Sequence, residues 1–337
     1  MIVHSMLFLG LFLTAAPEED ALLVAVGDVM LSRGVAQKIR TYGQDYPFCH
    51  VAQYFEDADI VFCNLECVLT DNVASRSKGF TFRADPALSD VLCRVGFNFV
   101  SLANNHSLDC GMDGLIEMVD VLNRSQITPL LGVPVIREVN GVKIGAIAFN
   151  LVDGSPSLTA LAGSVRDLSE CTDAVIVSLH WGTEYRHVPS PKQCTLARHL
   201  VDAGADFILG HHPHRVQGIA LHGRGVVAYS LGNFVFDQRD VGGNESVMLF
   251  VRFRPGRVSS VTILPFVITH FRPEPAGPEG ERILDRFIQL SAALGTHVVK
   301  LQHDGVVFGR IYPFQDEIDV ETSILRRLHE AKKPACD

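Results

Sequence analysis

Asp28, Glu66, Asn105, His180, His212 and His214 are side chains of the kinds that hold divalent cations, and each stands just past a short apolar run. Gly27-Asp28 closes the first run, Asn64-Leu65-Glu66 the second and Asn104-Asn105-His106 the third. His180-Trp181-Gly182 and Gly210-His211-His212-Pro213-His214 close two later ones, and Gly232-Asn233 lies just beyond another. A pair of divalent ions about 3.5–4 Å apart needs a bridging carboxylate, several neutral imidazoles and an opening for water. Carboxylate, amide oxygen and imidazole together suit Mn, Zn or Fe, and no thiolate is required.

His212-Pro213-His214 is the sharpest of these signals. In an extended segment alternate residues face the same way, so both imidazoles can point into one site while His211 faces away. Pro213 stiffens the link. His106, beside an amide ligand, is placed to act as a general acid. Asp109 either orients that ring or caps the next helix. Glu184 either orients a ligand or is a solvated loop charge, and Asn233 reads as a turn former in the site wall. Gly27 is read as permitting a tight turn at a strand end. Cys63 and Cys67 lie close to Glu66, but this spacing alone is a weak zinc signal.

The elements that must position these residues follow one rhythm. Apolar runs at 22–26, 60–63, 99–102, 144–149, 174–179, 207–209 and 226–229 read as strands covered on both faces. Residues 86–95, 114–122 and 192–201 show helical spacing, the last after Ser190-Pro191, a helix-start pair. The alternation predicts an α/β domain with largely parallel strands, in which sites form beyond the carboxyl ends of strands. Past Asp237 the texture changes: 246–254 alternates, 258–267 continues as strand, 273–280 reads as a loop and 281–294 as a closing helix.

Composition narrows the class. The 337 residues are 47% hydrophobic, with mean hydropathy +0.20, enough for a sizeable core. A formal net charge of −9 argues against binding nucleic acid through its phosphates. Several of the eight cysteines lie within or beside apolar runs, as reduced thiols do, which points to a reducing, cytoplasmic setting. The N-terminus points the other way. Residues 2–16 hold no Lys, Arg, Asp or Glu, so 1–17 is expected to be a signal or anchor segment for the cell envelope or an extracytoplasmic site. It lacks a basic leader, since the first Lys or Arg is Arg33. The stretch from Gly27 to Gly34 lacks the glycine spacing of a dinucleotide fold.

Taken in order, Gly27-Asp28-Val29-Met30, Asn64-Leu65-Glu66, Ala103-Asn104-Asn105-His106 with Asp109 and Gly111, His180-Trp181-Gly182, Gly210-x-His212-Pro213-His214 and Tyr229-Ser230-Leu231-Gly232-Asn233-Phe234 resemble the CapA-like, poly-γ-glutamate capsule synthesis family. That family is a branch of the calcineurin-like metallophosphatases. The resemblance implies an α/β fold, a metallophosphatase-like four-layer αββα sandwich with two mixed β-sheets, over residues 22–300, with 301–337 as a C-terminal extension. It implies two divalent metal ions on Asp28, Glu66, Asn105, His180, His212 and His214, with Glu66 as the bridge and His106 as the catalytic imidazole. Phe80-Thr81-Phe82-Arg83-Ala84 also matches the family, and Arg83 suits either a substrate carboxylate or phosphate or a surface salt bridge. Two features depart from the wider superfamily: Met30 stands where a histidine ligand is usual, and Glu66 where an aspartate is. Two functions remain open at this point. One is a hydrolase of phosphoester or amide-type bonds; the other is a non-catalytic, metal-containing accessory subunit that binds an anionic polymer. Either would work on an anionic substrate or poly-γ-glutamate, alongside capsule synthesis machinery.

Overall fold

The computed structural model describes residues 20–73, 79–154, 156–238, 240, 242–303 and 305–313. The expected leader at 1–17 and the chain from 314 onward lie outside the described residues.

The apolar runs become strands because both their faces are covered. In Ala21–Val29, Leu22, Val24 and Val26 join one core while Leu23 and Ala25 join another, the two-residue alternation of a strand. Among the described residues there is a ten-stranded sheet and a six-stranded sheet, both mixed. The larger runs through Val299–His303, Val306–Ile311, Arg257–Thr269, Glu245–Arg254, Ala21–Val29, Ile60–Leu65, Phe99–Ser101 and Thr128–Leu130. Asn233–Val235 and Arg272–Pro275 pair onto its side. The smaller runs through Ile219–His222, Gly225–Ala228, Phe207–His211, Ala174–His180, Val142–Asn150 and Val135–Val139. In the larger sheet the strands from Ala21–Val29 to Thr128–Leu130 run parallel, and in the smaller so do Gly225–Ala228, Phe207–His211, Ala174–His180 and Val142–Asn150.

Three cores hold four layers together. On the outer face of the larger sheet pack helices α1 (Arg33–Tyr42), α2 (Leu88–Val95) and α3 (Gly111–Arg124), through Val35, Leu92 and Met118. Between the sheets Leu23, Ala25 and Phe62 share a core with Ile144, Ile176 and Phe207. On the far face of the smaller sheet pack α4 (Leu158–Ser169) and α5 (Pro191–Asp202), through Val165 and Leu200. Helix α6 (Gly280–Ala293) adds Leu284 and Phe287 to the inter-sheet core. The start of α5 carries a full capping box. Ser190 accepts from the Gln193 N–H, the Gln193 side chain accepts from the Ser190 N–H, and Pro191 takes the first helical position.

Three sequence expectations change. The span 273–280, expected as a loop, begins in the strand Arg272–Pro275, which pairs with Arg257–Thr269. His270 and Phe271, both at positive φ, make the reversal, so the usual Asn-Gly hairpin signal is missing. The sheet also continues to Ile311, past residue 300, because Val306–Ile311 pairs with Arg257–Thr269. Finally, antiparallel pairs at Glu245–Arg254 and Arg257–Thr269 in the larger sheet, and at Val135–Val139 and Ile219–His222 in the smaller, make each sheet mixed, as the family resemblance implies, rather than largely parallel, as the strand–helix alternation alone predicts.

Candidate metal centre

Strand register brings the cluster together. Asp28, at the end of Ala21–Val29, lies beside Asn64 on one neighbouring strand and Asn233 on another. Gly27 makes this possible by close approach rather than by a turn. A Cβ there would sit 2.0 Å from the Gly232 carbonyl oxygen, which accepts the Asp28 N–H at 3.0 Å. Gly210 has the same role on the smaller sheet, where a Cβ would meet the Tyr229 carbonyl oxygen at 1.9 Å. Glu66 follows Ile60–Leu65 and is tied back by its N–H to Val29 at 2.8 Å.

The histidine segment is not extended. His212 and His214 sit at φ 93° and 52°, left-handed conformations that are rare for non-glycine residues and concentrate at functional sites. Both rings still reach the cluster, with centroids 6.0 Å apart. His211 does not turn away as expected. It is buried, with Nδ1 3.3 Å from Asp28 Oδ1, because it pairs in register with His180 and points into the space between the sheets, against Phe62.

Two overlapping groups of ligand atoms result, each with its atoms within 4.8 Å of one another: Asp28, Glu66 and His214, and Glu66, His180 and His212. Glu66 is common to both. Asn105 Oδ1 lies 2.8 Å from His180 Nε2, within hydrogen-bond distance, which sets its amide beside the second group. A third group joins the exposed Glu184 to His212 and His214. Asn64, fully buried, knits the first two together. Its amide nitrogen donates to Asp28 Oδ1 at 2.8 Å and lies 3.3 Å from His180 Nδ1. Asn233 Oδ1, 2.8 Å from His214 Nδ1, orients that ring so that Nε2 lies 3.8 Å from Glu66 Oε1.

The electrostatics fit a cation. Asp28 and Glu66 are fully buried, and Asp28 Oδ2 and Glu66 Oε1 accept no well-formed hydrogen bond. Buried charge of this kind costs several kcal/mol per group unless it is compensated. Burial pushes the Glu66 carboxyl well above its usual range. Burial also acts on Asp28, but the close approach and charge of His211 and His214 outweigh it and hold that carboxyl well below its usual range. Burial alone would lower His214, yet Glu66 and Asp28 raise it to about 9. His180 and His212 are lowered, by burial first and then by neighbouring imidazoles, and are therefore neutral, the form that binds metal. The residues present can hold a divalent ion.

Beside the cluster, His106 Nδ1 meets Asp109 Oδ2 at 2.7 Å, and its ring stacks on Phe82 at 3.9 Å between centroids. Asp109 also accepts the Phe82 N–H at 2.8 Å, while Cys110 occupies the N-cap of α3, so Asp109 orients the ring rather than capping the helix. His106 Nε2 lies 3.9 Å from Glu66 Oε1.

Other residues lie elsewhere. Arg83 is exposed, reaches the Asp71 carbonyl at 3.4 Å and lines a hollow that shares no residue with the cluster. Burial raises the Cys63 and Cys67 thiols, Cys67 to about 12, so both are protonated in the metal-free chain at neutral pH, and neither belongs to the ligand groups. Met30 is buried, and its sulfur accepts from the Ser32 hydroxyl at 2.9 Å. Asn64 and Phe82 went unassigned in the sequence. Asn64 could have been found from its two-residue offset to Glu66, whereas nothing local marks Phe82 as a partner of His106.

The two sheets and their flanking helices make a four-layer α/β sandwich, metallophosphatase-like in its layers. A bacterial capsule synthesis protein family (PGA_cap) matches residues 22–238, well over half of the chain. The chain is 31% identical over 287 residues to the capsule biosynthesis protein CapA of Bacillus anthracis, covering 76% of this chain and 70% of that one. It is 29% identical over 275 residues to the PGA biosynthesis protein CapA of Bacillus subtilis strain 168, covering 74% and 72%. A probable polyglutamine synthesis accessory protein of Mycobacterium tuberculosis is 24% identical over 283 residues, covering 72% and 74%. A crystal structure of a hypothetical protein from Thermus thermophilus shares the fold, with TM-score 0.50 and 17% identity over 75% of this chain and 100% of that one. The chain belongs to the bacterial capsule synthesis protein family.

Proposed function

We propose that this protein is a metal-dependent hydrolase of a phosphoester or amide-type bond, acting in the synthesis of a poly-γ-glutamate capsule. The observation that supports catalysis is the His106–Asp109 pair, stacked under Phe82 and 3.9 Å from Glu66. A protein that only held metal would not need an oriented, accessible imidazole beside the ligands. Asp28, Glu66 and His214 would hold one divalent ion, and Glu66, His180 and His212, with Asn105, the other. Bound there, the ions supply Lewis acidity toward a substrate oxygen and toward water.

Asp109 accepts from His106 Nδ1 and leaves Nε2 facing the reacting group. Water adds its oxygen to the phosphorus or carbonyl carbon, the bond to the leaving heteroatom breaks, and His106, acting as the imidazolium, gives that atom its Nε2 proton. The proton released by the water restores His106. Phe82 covers one face of the ring and keeps solvent from competing. The names of relatives support poly-γ-glutamate as the polymer and the cell envelope as the location. Among the described residues no helix is long and apolar enough to cross a membrane.

The test is metal analysis of the purified chain, then turnover of phosphoesters and γ-linked glutamate polymers with Mn, Zn or Fe. His212→Ala with His214→Ala should abolish stoichiometric metal in a folded chain, and full retention would refute the site. Stoichiometric metal with no turnover of any of these bonds would favour the accessory, polymer-binding reading.

A further inference from the structure

A cavity of about 470 Å3 opens directly beside the cluster, with Asn105 in its wall. It lies where the chain leaves Phe99–Ser101 and Thr128–Leu130 of one sheet and Val142–Asn150 of the other, the strand-end crevice in which α/β folds bind ligands. Its size is within the range of small-molecule sites, roughly 300–1,000 Å3. A hole of about 150 Å3 already takes a benzene ring, so a group of several such units fits.

The chemistry of the wall is one-sided. Leu108, Leu115, Leu131, Ala148 and Phe149, with Ala103 and Pro156, outnumber its polar members. The polar members direct their hydrogen bonds to the protein. Ser107 donates to the Leu102 carbonyl. Asn104 donates to Leu65 and Asn64 and accepts from the His106 N–H. Asn150 accepts from Val152 and donates to Asp153. Among the described residues that line the cavity, Asp153 carries the one formal charge, and it is negative. A stretch of γ-linked glutamate brings a carboxylate with every residue and would find no cation here. Gly132, at φ 71°, faces open space where a Cβ would stand, which keeps this wall low.

We propose that this cavity binds an uncharged, apolar portion of the substrate, so the bond cut joins the anionic polymer to such a group rather than linking two glutamates within it. The proposal rests on the hydrolase reading of the adjoining cluster. His106 does not line the cavity, whereas its neighbour Asn105 does. The leaving group therefore sits on the His106 side and the apolar portion is the part retained on the phosphorus or carbonyl carbon.

The test uses the metal-loaded full chain and the neutral fluorophore N-phenyl-1-naphthylamine. Saturable binding at one site is expected, weakened at least about tenfold by Leu131→Glu and by Leu108→Glu. Leu131 is 37% exposed and tolerates the change, and thermal melts verify the fold of both variants. Leu196→Glu, in a separate apolar hollow beside α5, should leave binding unchanged. Chromogenic esters with one leaving group and either an octyl or a carboxylate-bearing retained portion should differ in kcat/KM at least about tenfold in favour of octyl, and Asp153→Lys should narrow that gap. No saturable binding, survival of binding in both leucine variants, or displacement of the fluorophore by γ-linked glutamate oligomers would overturn the assignment. Fluorophore binding with the expected variant pattern but no hydrolysis of either ester would refute the hydrolase reading and leave the apolar site standing.

Discussion

The two ligand groups that meet at Glu66 differ in charge and in protonation. Asp28, Glu66 and His214 combine two buried carboxylates with an imidazole raised to about 9. Glu66, His180 and His212 combine one carboxylate with two imidazoles lowered by burial first and then by neighbouring imidazoles. Without metal, the first group holds a proton between His214 and its carboxylates, while the two imidazoles of the second are already in their ligating form. A cation entering the first group must displace the His214 proton, whereas the imidazoles of the second carry none to displace. Proximity of donors is therefore only half of a metal site; the proton inventory of each half sets how it loads.

Glu66→Gln should cause the largest change, because it removes the one carboxylate common to both groups. Metal analysis should find neither ion bound, with the fold of the metal-free variant verified by thermal melts. Retention of either ion at full stoichiometry would break the comparison at its centre.

Next in size is His106→Gln. It should lower turnover on the order of 10²–10⁴-fold with metal content unchanged, and less for substrates whose leaving groups need no proton. Loss of metal instead would make His106 a ligand.

His180→Ala should remove one ion of the two and spare the Asp28 side. Loss of both in equal measure would mean that the two groups load as one.

A smaller effect concerns pH. In the metal-free protein the raised His214 contributes stability that is fully present below its ordinary pKa near 6.5 and is lost as pH rises through about 9. The span of that shift corresponds to at most about 3 kcal/mol. Melting temperature should therefore fall over this window without metal. In the loaded protein the imidazole is already neutral, and that fall should vanish. Identical pH profiles for both forms would sink the proton-inventory argument.

Smallest is Ser190→Ala, far from either group. It breaks the capping box of α5 and should cost about 1 kcal/mol, read by denaturant melts, with metal content unchanged.

Local patterns carried much of this molecule. The runs at 22–26, 174–179 and 207–209 read as strands because a segment buried on both faces has no polar residue to disguise it, and all three are strands here. The helix start at Ser190-Pro191 was legible because a cap depends on neighbours within three residues. The strand Arg272–Pro275 was not, since its two prolines read as loop and only pairing with Arg257–Thr269 makes it a strand. Residue type alone let Arg83 suit either a substrate anion or a surface salt bridge; it is exposed, and it is its neighbour Phe82 that packs on His106.

The order of strands and helices, and which strand ends bear ligand-type side chains, could be read from the chain of residues, because periodicity and residue chemistry are properties of short segments. Which of those ends meet depends on the packed fold. Asp28 lies beside Asn64 and Asn233 through pairings that span 36 and 205 residues of sequence. His211 turns toward Asp28, and an apolar cavity opens beside Asn105. These are consequences of register and of packing one sheet on another, and no local pattern encodes them.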